Sequence, residues 1–134
     1  MDATHHSPIL VVEDNTDDSE LLVRRFARAG LDDSVTVISN GQDALDFLSR
    51  LASPPRVIFL DLKLPGLTGI ELLRRIKQLE RLQSAPVVIV SGQITPEEKA
   101  IAESLGVTDF LPKPIELSAF IKIVAHTFPS KPKA

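Results

Sequence analysis

The chain is expected to form a doubly wound α/β fold, a parallel five-stranded sheet with helices on both faces. Three observations predict it. Short runs of β-branched and aliphatic residues recur along the chain. They are continuous rather than alternating, as strands buried on both faces require. Amphipathic stretches of helical spacing separate them, and alternation of this kind favours a parallel sheet.

The first run is Ile9-Leu10-Val11-Val12. Leu22, Phe26 and Ala29 then mark a helix that Asn15 or Thr16 can cap and Gly30 can end. Asp17 and Asp18 sit in its first turn, where the helix dipole favours negative charge. The second run, Val35-Thr36-Val37-Ile38, precedes a helix marked by Ala44, Leu45, Leu48 and Leu51, stopped before Pro54-Pro55. The third run is Val57-Ile58-Phe59-Leu60, followed by a helix on Leu72, Leu73, Ile76 and Leu79. The fourth is Val87-Val88-Ile89-Val90, and Thr95-Pro96 with Glu97 and Glu98 opens the next helix. The fifth run, Phe110-Leu111, meets Pro112 at once, so it should lie at a sheet edge. Leu117, Phe120, Ile121 and Val124 mark the last helix. Residues 1–7 read as a flexible arm, 8–128 as the single domain and 129–134 as a flexible tail. His5 and His6 could bind metal, but read as two histidines in a loose end.

Composition narrows the function. A chain of 134 residues suits one domain. Fifteen basic and 18 acidic residues give a net charge of −3, which argues against binding a phosphate backbone by bulk charge. No cysteine excludes a disulfide scaffold and a thiolate metal site, and fits a cytoplasmic protein. No apolar run is long enough to span a bilayer. Arg74, Arg75, Lys77 and Arg81 read as a solvated helix face rather than a nucleic-acid patch.

The polar residues that follow the runs carry the chemistry. Glu13 and Asp14 follow the first, Asp61 the third, Ser91 the fourth and Lys113 the fifth. Parallel strands gather these residues at one edge. A flavodoxin-like order, 2-1-3-4-5, in a three-layer sandwich places Glu13, Asp14 and Asp61 together at the point where strand order reverses. Three crowded carboxylates need compensation. Lys113 supplies one charge, and a hard divalent cation such as Mg²⁺ suits the oxygen ligands. A carboxylate beside a cation, an ammonium and a hydroxyl is arranged for phosphoryl transfer, with Asp61 as the attacking group.

Four segments carry a resemblance: Val11-Val12-Glu13-Asp14-Asn15, Phe59 to Gly66, Val90-Ser91-Gly92 and Phe110-Leu111-Pro112-Lys113-Pro114. Asp61 to Ser91 is 30 residues and Ser91 to Lys113 is 22. Together they resemble the response-regulator receiver domain of two-component signalling, over about residues 8–128. The resemblance implies that Asp61 accepts a phosphoryl group from a histidine kinase or phosphotransfer protein. Mg²⁺, or Mn²⁺ in its place, would be held by Glu13, Asp14, Asp61 and the Lys63 backbone carbonyl. Lys113 would contact the phosphoryl group, Ser91 would be the hydroxyl switch, and Phe110 matches the aromatic switch position. Phe110 has no hydroxyl, and an ordinary core aromatic is its other reading. The bond before Pro114 would be cis, and Lys63, Gly92 and Gln93 would tune rates. Asn40 to Leu48 resembles receivers partnered with bacterial phytochrome kinases.

The expected output is a change in the face made by the fourth helix, fifth strand and fifth helix, acting in trans on a downstream protein or through a homodimer. No direct nucleic-acid or membrane contact is expected. A pseudo-receiver used only for interaction is one alternative, although the acceptor and metal carboxylates are retained. An aspartyl-phosphate hydrolase is another, but it needs an aspartate two residues past the nucleophile, where Lys63 stands.

Overall fold

Five parallel strands form one sheet in the order β2-β1-β3-β4-β5. The computed structural model describes residues 8–31 and 34–128; the expected arm at 1–7, with His5 and His6, and the tail at 129–134 lie outside the described residues. The strands are β1 Ile9–Val12, β2 Val35–Ile38, β3 Val57–Asp61, β4 Val87–Ser91 and β5 Asp109–Pro112. The helices are α1 Thr16–Arg28, α2 Gly41–Arg50, α3 Gly69–Gln78, α4 Pro96–Ser104 and α5 Leu117–Thr127.

The two-residue period of a strand sorts side chains into two cores. Leu10, Val12, Ile58, Leu60 and Ile89 face one side, under Leu48 of α2, Leu72 and Ile76 of α3 and Ala102 of α4. Ile9, Val11, Phe59, Val88 and Val90 face the other, under Leu22 and Phe26 of α1 and Phe120 and Ile123 of α5. The result is a three-layer sandwich. On the second side Phe26 meets Phe59 and Phe120 edge-on, with ring centroids 5.1 Å and 5.0 Å away.

Side-chain caps start four of the five helices. Asn15 caps α1 through the Asp18 N–H, and Asn40 caps α2 through the Asp43 N–H. Thr68 with Glu71, and Thr95 with Glu98, form reciprocal capping boxes on α3 and α4. After Leu79 the chain tightens into a short 3₁₀ turn, Glu80–Leu82, which the helical spacing does not anticipate. Its Arg81 reaches back to the Ser49 and Leu51 carbonyls at the end of α2. Lys77 likewise donates to the Gln83 carbonyl at 3.1 Å. Two residues of the basic run therefore hold up the local backbone.

The second strand corrects one expectation. Its run is continuous, yet its residues are only half-buried and Val37 is exposed. β2 is an edge strand with a single neighbour, β1, so its run does not require cover on both faces. β5 is the other edge, where Pro112 is tolerated.

Gly69 starts α3 against the strand that leads into the site. A Cβ there would lie 2.5 Å from the Asp61 carbonyl oxygen and 2.5 Å from the Leu62 Cα. Both are backbone atoms and cannot rotate away. Gly69→Ala should lower stability by about 2 kcal/mol, as overpacking does. A denaturant melt with an unchanged midpoint would show that this approach is not rigid.

Candidate functional site

The register of the sheet builds the site. Val12 pairs with Leu60, so the next residues, Glu13 and Asp61, emerge side by side from β1 and β3. The order of the sheet reverses between these strands, and the crevice there is where open α/β sheets bind ligands. Oxygens of Glu13, Asp14 and Asp61 lie within 4.8 Å of one another. Glu13 and Asp61 are buried, at 2% and 3% exposure, and Asp14 is exposed.

Each oxygen of Asp61 is held. The Lys63 backbone N–H donates to Oδ1 at 2.9 Å, and Lys113 Nζ donates to Oδ2 at 3.1 Å. Lys113 Nζ also lies 2.9 Å from Glu13 Oε1 and 2.9 Å from Asp18 Oδ2. The Asn15 N–H donates to Glu13 Oε2 at 3.1 Å. The other Glu13 oxygen, Oε1, is buried and has no hydrogen-bond partner, because its contact with Lys113 is an ion pair without hydrogen-bond alignment. A buried carboxylate oxygen without a donor, inside a cluster of three carboxylates, fits a hard divalent cation.

Crowding shows in the protonation of these groups. Burial, followed by hydrogen bonding with Asp61, pushes the Glu13 carboxyl up to about 7. Burial alone would lower Lys113, but Asp18, Glu13 and Asp61 outweigh it and hold the ammonium above its ordinary value. The Glu13 shift has a sign for stability. The folded chain binds this proton more tightly than the unfolded chain, where glutamate titrates near 4.5. Its contribution is complete below pH 4.5 and is lost as pH rises through about 7. The thermal midpoint of Glu13→Gln minus that of wild type should therefore rise between pH 4.5 and about 7 and level off above. A difference independent of pH would show that Glu13 titrates normally.

Ser91 ends β4, and Asp61 pairs with its neighbour Val90. Its hydroxyl donates to the Gln93 carbonyl at 2.6 Å rather than towards Asp61. Lys63, Gly92 and Gln93 are exposed. A Cβ on Gly92 would come 3.9 Å from the Lys113 Cβ, so this residue lines the approach to the lysine. The Lys113 N–H donates to the Ser91 carbonyl at 3.0 Å, and the Lys113–Pro114 bond is cis. Phe110 is half-buried against the core beneath α4, with Lys99 Nζ 5.4 Å from its ring centroid. Its described contacts are with that core and Lys99, not with the carboxylates. The sequence marks Asp18 only as a helix-dipole residue. The signal for its place in the site is topological, since the N-terminus of α1 must lie at the edge where β1 ends.

Comparison with known proteins agrees with the geometry. The model of the response regulator receiver domain matches residues 9–125. The probable methanogenesis regulatory protein FilR2 of Methanothrix harundinacea (strain 6Ac) is 38% identical over 112 residues, which cover 80% of this chain and 72% of FilR2. The bacteriophytochrome response regulator RtBRR superposes with a TM-score of 0.81 at 34% identity, covering 96% of this chain and 81% of that one. The phosphorylated cyanobacterial phytochrome response regulator RcpA superposes with a TM-score of 0.77 at 32% identity, covering 90% of each chain. The family model spans nearly the whole described fold, and the chain belongs to the response regulator receiver domain family.

Proposed function

We propose that the chain takes a phosphoryl group onto Asp61 from the phosphohistidine of a histidine kinase or phosphotransfer protein. The observation that carries this reading is a buried Asp61 held at both oxygens, with Glu13, Asp14 and Lys113 grouped around it. The cation, Mg²⁺ or Mn²⁺, would be held by Glu13, Asp14, Asp61 and the Lys63 carbonyl. When bound, it neutralises charge on the phosphoryl oxygens.

The residues of the chain supply the rest. An Asp61 oxygen forms the new O–P bond as the N–P bond of the phosphohistidine breaks. The electron pair of that bond returns to the imidazole, and the product is an acyl phosphate. Lys113 pairs with a phosphoryl oxygen. Ser91 reaches the phosphoryl group only by giving up the Gln93 carbonyl, which couples phosphorylation to the loop that leads into α4. Phe110 responds as that loop moves, and the face of α4, β5 and α5 changes. Ile121 of α5 is 55% exposed there, an apolar contact for a downstream protein or a second copy. Lys63, Gly92 and Gln93 border the approach of water and set the phosphoryl lifetime. The chain catalyses only its own phosphorylation and dephosphorylation. A cytoplasmic setting fits its cysteine-free composition. No described helix is long and apolar enough to cross a membrane.

The test is incubation with a labelled small acyl-phosphate donor and Mg²⁺. Label should appear only with the cation and be released by hydroxylamine, as an acyl phosphate is. Label that survives hydroxylamine would sink the proposal.

A further inference from the structure

Lys113 is the only cation among the contacts described around Asp61, and it faces three carboxylates at once. Two of them, Glu13 and Asp61, belong to the oxygen cluster that fits a divalent cation. The third, Asp18, does not belong to it. Its side chain is 27% exposed, against 1% for Glu13 and 4% for Asp61, so it stands on the solvent side of the lysine. α1 fixes it there, because the Asp18 N–H is tied to the Asn15 cap at 3.0 Å. A lysine on a flexible stem goes where its partners are. Without Asp18, both remaining partners lie in the cation cluster.

We propose that Asp18 is a positioning residue for Lys113: it anchors an ammonium that also touches Glu13 and Asp61, and gives it a partner at the mouth of the site, outside the cation cluster. Asp18 thereby limits competition between the lysine and a divalent cation for the same carboxylates. This rests on the reading of Glu13, Asp14 and Asp61 as a cation site. It goes beyond that reading by assigning a role to a fourth carboxylate.

The test is a double-mutant cycle on the full chain, with Mg²⁺ affinity measured by calorimetry and the Lys113 ammonium followed by NMR. Asp18→Asn should weaken Mg²⁺ binding about three- to fivefold, the scale of a partly exposed ion pair. In a Lys113→Met background the same substitution should have no effect, because the competitor is gone. The Lys113 ammonium resonance should shift in Asp18→Asn. An equal loss in both backgrounds would mean that Asp18 acts through its general negative field, and would overturn the proposal. No loss in either background would overturn it as well. If the wild type binds Mg²⁺ and the cycle shows no coupling, only the role of Asp18 fails. If the wild type binds no Mg²⁺, the cation reading fails and this inference falls with it.

Discussion

Asp61→Asn is expected to abolish phosphoryl incorporation, by at least about a thousandfold, the scale on which removing a nucleophile acts. The substitution is nearly isosteric. The new amide would keep an oxygen for the Lys63 N–H, and the strand register would be undisturbed. What disappears is the carboxylate proposed to attack phosphorus, since an amide offers no comparable nucleophile. One of two buried, adjacent carboxylates also disappears, so the variant should be at least as stable as wild type. A thermal melt thus separates loss of chemistry from loss of fold. If Asp61→Asn labels as well as wild type, the acceptor lies elsewhere.

Phe26→Ala should lower stability by about 3–5 kcal/mol, the range for truncating a fully buried aromatic residue. Phe26 has 0% exposure and meets both Phe59 of β3 and Phe120 of α5 edge-on. Its loss removes two aromatic contacts and opens a cavity between α1, α5 and the sheet. The thermal midpoint should fall by about 10–15 °C in a domain of this size. A loss below about 1 kcal/mol would mean that α1 and α5 collapse onto the space.

The strands were legible because burial writes itself into composition, and their order because the resemblance implies a flavodoxin-like pattern. Runs such as Val57-Ile58-Phe59-Leu60 have few other uses in a short chain. From the order, the meeting of Glu13 and Asp61 follows from register alone. What could not be read depends on one neighbour or one side-chain path. Nothing within Val35-Thr36-Val37-Ile38 marks its partial exposure, which follows only from the edge place that the order 2-1-3-4-5 gives it. Arg81 sits in a basic run that reads as a surface. Its structural role appears only when the end of α2 is brought beside it. Asp18 suits a helix N-terminus as well as a site, and its ion pair exists because Lys113 arrives from the far end of the chain. The Ser91 hydroxyl could point either way, and its bond to the Gln93 carbonyl is a rotamer choice that no spacing encodes.

The bond from the Lys113 N–H to the Ser91 carbonyl has a mechanical consequence. It ties the backbones that carry the hydroxyl and the ammonium, one on each side of a single ladder rung. The two groups then behave as jaws on a common hinge rather than as independent fingers. On the proposed reading of Ser91 and Lys113, a linkage with so few degrees of freedom favours a response with two positions over a graded one.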